Sequence, residues 1–544
     1  MKEEFFMRKR GRKLLATGLA GAMTASMLLT GCGSGSASST TAADTAASGD
    51  TAADSAGETS EAATAQASAE DDIEKPEQIN IFVNGNVFTQ ANARDEFEKR
   101  WEELTGIDLV ITQPDHDAYN DVLGQTFASG PENWPDVVIL SSAYYTGYAE
   151  EGALWDMTDA WENSELKASG RYKGEEILEK LKIDGRLYGF AHENSKGCIT
   201  YVKQSWLDNC GLDVPTNYEE YLAMLEAFTT GDPDGNGVNG DTCGVSAAGY
   251  IAPEAPWTMY LPEFYQGATV DFTKDENGQW VDGFTQDNMK ATLERMQDAY
   301  AKGYIDKETL TNGTSDCRNK FYEDTFGVFT YWSGTWGTQL SDNLVANGHS
   351  GDLVALPPIE ELGNYIAKLP NVMAITSACE NPEGVFKYFI ESMLDGGDMQ
   401  TLWTYGVEDV HWSTKAETVC GNTYEEGEFH GKESLEKPGT QYQKGYIDPL
   451  LSLGEWVDED PGAAFLPEFT KESQEVFDAN AVTLDLIPST EAMNQYNGDL
   501  MTLKRSIVAD IVTQGTSIED GYARFEAEGG LEWSNAIVDS LNNQ

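Results

Sequence analysis

The sequence predicts an α/β fold in which crossover helices connect the strands of a parallel sheet. Short β-type runs alternate with amphipathic helices between residues 78 and 140, and this alternation favours parallel strands. The chain contains 13 Trp, 24 Tyr and 21 Phe, which is ample for a large core. About 470 residues follow the N-terminal region, so we expect two or three domains, or two lobes with long insertions.

The alternating run begins with QINIFV at 78–83, which has the composition of a strand. The helix predicted next places Phe97 and Trp101 on one face, and Gly106 marks its end. The run continues with a strand at 107–112, a helix at 118–130 and a strand at 135–140.

Later segments add further helices and strands. The helix predicted to start at Thr216 has Glu219 three residues later, which is the pattern of a capping box. The β-type runs at 326–332 and 368–378 are predicted strands, and Asn381 is expected to cap another helix. The last hundred residues are expected to be mostly helical.

Residues 1–31 have the pattern of a secretory signal peptide, because a basic stretch precedes a mildly apolar one rich in small residues. The apolar stretch is short and contains many Gly, Ala and Thr, which disfavours a membrane-spanning helix. Leu29-Thr30-Gly31-Cys32 resembles the lipobox of bacterial lipoproteins, in which the Cys is diacylated. Since residues 33–72 include no aromatic residue and no Lys or Arg, we expect a disordered tether over 32–75.

The charge and the cysteines exclude several classes of function. A formal net charge of −57 would repel nucleic acid and anionic lipid surfaces. The sequence has no CxxC pair, and HENSK at 192–196 has Lys196 where a zinc-protease motif needs its second His. Whether disulfides form stays open for six cysteines: Cys198, Cys210, Cys243, Cys317, Cys379 and Cys420.

The loop at 231–241 matches the first half of an EF-hand-type loop, with oxygen-bearing residues at positions 1, 3 and 5 and Gly237 at position 6. The predicted ligands of a structural Ca²⁺ ion are Asp232, Asp234, Asn236, Val238 and Asp241. The second half departs from the pattern, because Cys243 stands where the bidentate Glu belongs. The alternative is an Asx-rich turn that binds no ion.

Six segments, in this order across residues 78–412, resemble the extracellular solute-binding proteins of ABC importers, specifically the sugar-type group of Gram-positive lipoproteins. They are ASGPENWPDVVIL, IDGRLYGFAHENS, YVKQSWLDNCGLDVPTNYEEYLAMLEAF, GDPDGNGVNGDTCG, SACENPEGVFKYF and YGVEDVHW. The resemblance implies a two-lobe periplasmic-binding-protein-like fold of type II, with mixed sheets flanked by helices and hinge strands between the lobes. Lobe one would comprise 76–196 plus 368–440, and lobe two 197–367 plus 441–544.

The ligand of such a protein lies in the cleft between the lobes, where aromatic rings cover the faces of a sugar and polar groups hold its hydroxyls. The candidate residues are Asn84, Asn86, Tyr144, His192, Asn194, Trp257, Trp332, Trp336, Trp403, Glu408, His411 and Trp412. For the aromatic and histidine members the alternative is a place in the core, and for Glu408 it is a solvated turn.

The resemblance implies a binding protein rather than an enzyme. It would capture a carbohydrate, expected to be an oligosaccharide, and deliver it to the transmembrane subunits of an ABC permease. It would work as a monomer on the extracellular face of the cell membrane, anchored through lipid on Cys32. Two alternatives stay open: a secreted lipoprotein glycosidase, which needs two carboxylates across the scissile bond, and a binding protein for a peptide or polyamine.

Overall fold

A computed structural model describes residues 73–83, 89–115, 118–192, 194–247, 260–436, 438–442 and 466–543. Two separate hydrophobic cores organise these residues. The first core draws its buried residues from 79–191 and 369–403, and the second from 198–367 and 477–541. We call the regions around them lobe one and lobe two. Because each core uses two stretches of chain, neither lobe is continuous in sequence.

Lobe one is built on a four-stranded sheet with the order β11-β3-β1-β2. Its strands are β1 (Gln78–Phe82), β2 (Asp108–Thr112), β3 (Val137–Leu140) and β11 (Val372–Ile375). The first three strands run parallel, as the alternation predicted, and the fourth pairs antiparallel with β3. The helices are α1 (Arg94–Thr105), α2 (Tyr119–Ala128), α3 (Ser142–Glu150), α4 (Thr158–Glu162), α5 (Glu165–Ser169), α6 (Glu175–Leu181), α13 (Pro382–Val385) and α14 (Asp398–Tyr405).

Lobe two is built on a six-stranded mixed sheet with the order β16-β10-β4-β8-β5, in which β9 also pairs with β4. Its strands are β4 (Lys196–Lys203), β5 (Cys243–Ser246), β8 (Phe326–Trp332), β9 (Leu353–Leu356), β10 (Tyr365–Lys368) and β16 (Ala481–Thr483). A hairpin is added by β6 (Phe272–Lys274) and β7 (Trp280–Asp282).

Helices cover the lobe-two sheet and form most of the C-terminal region, as the sequence predicted. They are α7 (Gln204–Cys210), α8 (Tyr218–Thr230), α9 (Pro262–Tyr265), α10 (Asp287–Lys302), α11 (Thr314–Tyr322), α12 (Thr335–Ala346), α15 (Glu468–Asn480), α16 (Glu491–Gln514), α17 (Ile518–Ala527) and α18 (Gly530–Asn542). Thr490 caps the longest of them, α16, by accepting a hydrogen bond from the Met493 N–H. Leu500 and Ile507 of this helix are fully buried in the lobe-two core.

Residues 406–442 form a small appendage with two short two-stranded sheets. Its strands are β12 (Trp412–Ser413), β13 (Glu417–Val419), β14 (Asn422–Tyr424) and β15 (His430–Gly431). The ring of His411 bonds to the Asn92 carbonyl oxygen at 2.7 Å, which fixes the appendage to lobe one.

The two lobes are joined where β4, β10 and β16 lie side by side. β10 pairs antiparallel with the start of β4, so that Lys368 lies opposite Lys196, and the chain then returns to lobe one through β11. β16 pairs parallel with β10, and Leu486 just beyond it packs against the lobe-one core. These three neighbouring segments form the hinge predicted for the fold.

Three local predictions need correction. The cap of α8 is Asn217 and not Thr216, because the Asn217 side chain accepts from the Glu220 N–H. The single strand predicted at 368–378 is two strands in two sheets, since Pro370 cannot donate to a ladder and lies where the chain changes lobe. The helix capped by Asn381 changes to a π-helix at Phe386–Glu391 and a 3₁₀ turn at Ser392–Leu394.

No helix in the described parts of the chain is long and apolar enough to cross a membrane. The cysteines at 198, 210, 243, 317, 379 and 420 are all free thiols. The predicted signal peptide, Cys32 and residues 33–72 of the tether lie outside the described residues. The end of the tether prediction, 73–75, is corrected: the Asn381 amide donates to the Glu74 carbonyl oxygen at 2.7 Å, and the Lys75 ammonium donates to the Thr105 carbonyl oxygen at 2.5 Å, so these residues are attached to lobe one.

Candidate functional site: the cleft between the lobes

A cleft of about 2330 Å³ is lined by both lobes. Lobe one contributes Ser142, Tyr144 and Asn194 to its wall. Lobe two contributes polar side chains that include those of α11, α15 and α16. It also contributes seven aromatic side chains: Tyr260, Phe272, Trp280, Tyr331, Trp332, Trp336 and Tyr365. The cleft is therefore a mixed aromatic and polar surface that either lobe alone would leave incomplete.

Strand ends place the main lining residues. β3 ends at Leu140 and α3 begins at Ser142, so Tyr144 stands on the first turn of a helix at the carboxyl end of a strand. β8 ends at Trp332 and α12 begins at Thr335, which places Trp336 in the same way. Ligands of open α/β sheets bind at this edge, because the loops there diverge and leave a crevice.

Gly334 makes the turn between β8 and α12 possible. Its backbone has φ 68° and ψ −126°, which favours glycine over residues with a side chain. A Cβ at this position would lie 2.8 Å from Oε1 of Gln474. The Gly334 N–H also donates to the Ser473 hydroxyl at 2.8 Å. A close approach to α15 thus fixes the turn that carries Trp332 and Trp336 into the cleft.

Arg318 of α11 lies within the aromatic wall. Its guanidinium is 5.0 Å from the centre of the Trp336 ring and 5.7 Å from that of Tyr331. Nη1 donates to the Tyr331 hydroxyl at 2.5 Å, and Nη2 donates to the Ser315 hydroxyl at 3.0 Å. The Tyr331 and Trp336 rings meet edge to face at 4.9 Å. The side chain is thereby held in one position by two hydrogen bonds and two rings.

The charge of the cleft differs from that of the whole protein. The described lining includes six basic residues, Lys196, Lys274, Arg318, Lys368, Lys471 and Arg505. It includes five acidic residues, Asp271, Asp316, Glu475, Asp478 and Asp485. The whole chain has 35 basic residues and 92 acidic ones, so cations are concentrated at this surface. The sequence does not reveal this clustering, because the basic residues come from separate elements and no local motif marks them.

Four of the predicted site residues lie together in the cleft: Tyr144, Asn194, Trp332 and Trp336. Tyr144 is 42% exposed although it is aromatic, and such exposure is typical of a ring that contacts a ligand. Asn84, Asn86 and Trp257 lie outside the described residues.

Two predicted residues belong to the lobe-one core and are corrected here. Trp403 is 0% exposed and packs edge to face on Phe97 and Phe389, at 4.8 and 5.6 Å between ring centres. His192 is also 0% exposed, and its Nε2 lies 2.9 Å from the Ile390 carbonyl oxygen. Burial lowers the pKa of His192 to about 4, so the ring is neutral at physiological pH. Both are structural residues.

The other three predicted residues belong to the appendage and do not line the cleft. His411 is buried, accepts from the Val407 N–H through Nδ1 and bonds to Asn92 through Nε2. The Trp412 indole donates to the Gly406 carbonyl oxygen, and its ring stacks on Phe429 at 5.1 Å. Glu408 forms a bridge with Trp412. Satisfied hydrogen bonds within the appendage explain the pattern that suggested a ligand site.

Hydrogen bonds within the loop at 231–241 link four of its predicted ligands: Asp232, Asp234, Asn236 and Asp241. The Asn236 amide donates to Oδ2 of Asp234 at 2.7 Å and to Oδ2 of Asp241 at 2.9 Å. The Gly237 N–H donates to the Asp232 carboxylate at 3.0 Å. Burial raises the pKa of Asp234, and the nearby carboxylates of Asp232 and Asp241 add to the rise. No group of three or more His, Cys, Asp or Glu is arranged as a metal site anywhere in the described ranges.

This oxygen-rich set suits a hard cation in its donor chemistry. The amide NH₂ of Asn236 lies between two carboxylates, so a cation would have to replace this amide contact. Residues 232–241 therefore have donor types that suit Ca²⁺, but in this arrangement the Asn236 amide NH₂ makes the contacts to Asp234 and Asp241 that an ion would make.

Comparison with known proteins links this chain to a family. The sequence profile described as "Bacterial extracellular solute-binding protein" matches residues 86–391, which is more than half of the chain. The lipoprotein LipO of Bacillus subtilis is 27% identical over 214 residues, 39% of this chain and 41% of that protein. The fructooligosaccharide ABC transporter substrate-binding protein FusA of Streptococcus pneumoniae is 25% identical over 242 residues, 41% of this chain and 43% of FusA. The matched stretches thus span about two fifths of these relatives.

Solved structures agree with the fold over most of the chain. FusA of S. pneumoniae in complex with kestose superposes with a TM-score of 0.57 at 16% identity, covering 86% of this chain and 99% of that one. The alginate-binding protein AlgQ2 without calcium ion gives 0.58 at 15% identity, covering 86% and 98%. A further FusA structure, of an EF-hand mutant with fructo-nystose, gives 0.56 at 16% identity, covering 86% and 99%. The predicted two-lobe α/β fold is confirmed.

Proposed function

This chain belongs to the family of bacterial extracellular solute-binding proteins, and from this premise we propose that it binds an oligosaccharide between its lobes for delivery to the permease of an ABC importer. The observation that carries the proposal is the cleft lined by Tyr144, Trp332 and Trp336 together with hydroxyl and amide groups. Flat rings cover the CH faces of a sugar, and polar groups at helix starts bond to its hydroxyls. FusA, of the same fold, is named for fructooligosaccharides.

The size and charge of the cleft support an oligosaccharide over a single small solute or a polyamine. Its volume of about 2330 Å³ exceeds the roughly 300–1000 Å³ of a site for one small molecule. A polyamine would meet the cluster of lysine and arginine side chains in the lining, which opposes a cationic ligand.

The test is a thermal-shift and calorimetry series with oligosaccharides, kestose included, on the purified protein and three variants. Trp332→Ala and Trp336→Ala should each weaken sugar binding at least about tenfold, because each removes a ring from the contact surface. Trp412→Ala is the matched control: it removes a half-buried Trp of the appendage and should leave affinity unchanged. Failure of every oligosaccharide to bind would refute the proposal. Reducing ends that accumulate with time would show a glycosidase instead.

We further propose that Cys32 carries a lipid anchor and holds a monomer at the extracellular face of the cell membrane. The support is the leader, the lipobox-like Leu29–Cys32 and the match to LipO, which is named a lipoprotein. Two acyl chains suffice for stable anchoring without a spanning helix.

A structural Ca²⁺ ion in the loop at 231–241 is also part of the proposal. Asp232, Asp234, Asn236 and Asp241 would hold it with a carbonyl oxygen from Val238. The two positive charges of the ion would offset most of the negative charge of three carboxylates in one short loop, and the ion would hold the connection between α8 and β5 in place.

A further inference from the structure

We infer that the cleft takes an acidic oligosaccharide, one that carries uronate carboxylates, and that Arg318 binds a carboxylate of this ligand. The inference rests on the proposed function, because it specifies the ligand class of the same cleft. Three observations support the inference: the charge of the lining, the contacts that fix Arg318, and the loss of water around Arg318 when the cleft closes.

The cleft lining is much richer in basic residues, relative to acidic ones, than the protein as a whole. Six basic and five acidic residues line the cleft in the described ranges, whereas acidic residues outnumber basic ones 92 to 35 in the chain. One of these acids, Asp485, is paired with Lys274 at 3.5 Å, and another, Asp316, accepts from the Gly313 N–H at 3.1 Å. The Lys274–Asp485 pair cancels one charge of each sign, so five basic and four acidic residues of the described lining remain, while the rest of the protein surface repels anions. This balance makes the cleft a more favourable place for an anionic ligand than the average surface of the protein.

The guanidinium of Arg318 has the position and the unused N–H donors needed to bind an anion. Among the described residues, no carboxylate forms an ion pair with its guanidinium, although the protein is strongly acidic. The bonds to the Tyr331 and Ser315 hydroxyls use two of the five N–H donors, and three remain for a ligand. A planar fork fixed between two rings matches the geometry of a carboxylate, since little freedom is lost when both oxygens are bound.

Closure of the lobes increases the advantage of an anionic ligand over a neutral one. Arg318 is already half-buried, and a ligand that fills the cleft will remove more water from it. Desolvating a charge is unfavourable unless an opposite charge with good hydrogen bonds replaces the water. A neutral sugar hydroxyl offers a dipole, whereas a uronate offers a full charge and two acceptor oxygens. Trp336, which touches both the guanidinium and the cleft, can cover the ring of the same sugar unit.

The experiment compares matched acidic and neutral trisaccharides by isothermal titration calorimetry at low salt. The probes are trigalacturonate and β-1,4-linked triglucuronate, with galactotriose and cellotriose as their neutral parents. We expect at least one uronate to bind at least about tenfold more tightly than its parent, because hydrogen bonds to a charged group are the stronger ones. Arg318→Gln should reduce that preference to about twofold or less, and Arg318→Lys, which keeps the charge but not the fork, should retain part of it.

Arg100→Gln is the control, because Arg100 pairs with Glu103 on the surface of α1 and does not line the cleft. It should leave both affinities unchanged, and thermal melts will show that each variant is folded. A neutral parent that binds as well as its uronate overturns this inference and leaves the proposed function standing. A uronate preference that survives Arg318→Gln overturns the assignment of Arg318. If neither series binds and no other oligosaccharide shifts the melting temperature, the proposed function falls as well.

Discussion

A buried carboxyl group behind the cleft makes stability depend on pH. Glu263 is 1% exposed, and its Oε1 accepts from the Thr200 hydroxyl at 2.5 Å. Tyr221 and Tyr365 are its titratable neighbours. Burial raises the pKa of Glu263 to about 7, from 4.5. The folded state therefore holds a proton that the unfolded state releases between pH 4.5 and 7, so the contribution of Glu263 to stability is complete below pH 4.5 and is lost as pH rises towards 7.

We predict that the free energy of unfolding loses about 3 kcal/mol from this group between pH 4.5 and 7, and that Glu263→Gln removes this loss. Denaturant unfolding of both proteins across that range measures the difference. Glu294→Gln, at an exposed position of α10, is the control and should leave the pH dependence as it is. Parallel curves for the wild type and Glu263→Gln would show that the carboxyl group is not the source.

At the residue scale, the sequence predicts a role well only where the neighbours are local. Trp332 lies at the end of a strand and Trp336 at the start of the next helix, and both line the cleft. Trp403 and His411 were misplaced because their partners are distant in sequence: Phe97 for the first, Asn92 for the second. The sequence alone cannot distinguish an aromatic residue that stacks on a sugar from one that fills a core, because the difference depends on how remote segments pack around it.

The loop at 231–241 is an element whose stability should respond to calcium. Bound Ca²⁺ would stabilise only the folded loop, so millimolar Ca²⁺ should raise the melting temperature by about 3 °C or more, and a chelator should reverse the shift. A double variant, Asp234→Asn with Asp241→Asn, should lose the response because two carboxylates are removed from one side of the loop. Differential scanning fluorimetry measures both effects.

Asp275→Asn is a matched control for this test. Asp275 accepts from the Asn277 and Gln279 N–H groups in the β6–β7 hairpin, so it makes a similar Asx turn outside the loop. This variant should keep its calcium response even if it melts earlier. A melting temperature that is equal with Ca²⁺ and with chelator in the wild type would identify the loop as a turn without an ion.

Elements with strong periodicity were predicted well, the predicted cap at Thr216 was wrong by one residue, and elements at the hinge were not predicted correctly. The strand at 326–332 and the Asn381 cap match the structure. The run at 368–378 has one continuous β-type composition, but its halves pair with strands of different lobes. Nothing in the local composition separates them except Pro370, since each half is buried beside strands that lie far away in sequence.

At the scale of the whole molecule, three adjacent segments joining two cores predict closure around a ligand. Binding should lower the radius of gyration measured by small-angle X-ray scattering, because the hinge lets the lobes approach while each core stays rigid. The oligosaccharide found by the calorimetry series is the ligand for this measurement. Trp336→Ala at the same sugar concentration should remain closer to the unliganded value. A scattering profile unchanged by saturating ligand would contradict a hinged clamp.

The sequence predicted the fold class and the family, but it could not predict the charge of the cleft. The net charge of −57 is visible in composition, whereas the clustering of Lys274, Arg318 and Arg505 needs β6, α11 and α16 to meet. The concentration of basic residues at the cleft is a property of the tertiary structure, and no pattern along the sequence indicates it.

The antiparallel strand β11 has a consequence for synthesis. It completes the lobe-one sheet beside β3, and Trp403 completes the core, yet both follow the first stretch of lobe two in the chain. During synthesis from the N-terminus, the sheet edge at Val137–Leu140 therefore stays unpaired until residue 375 has been made. The nascent protein needs protection from aggregation during this interval.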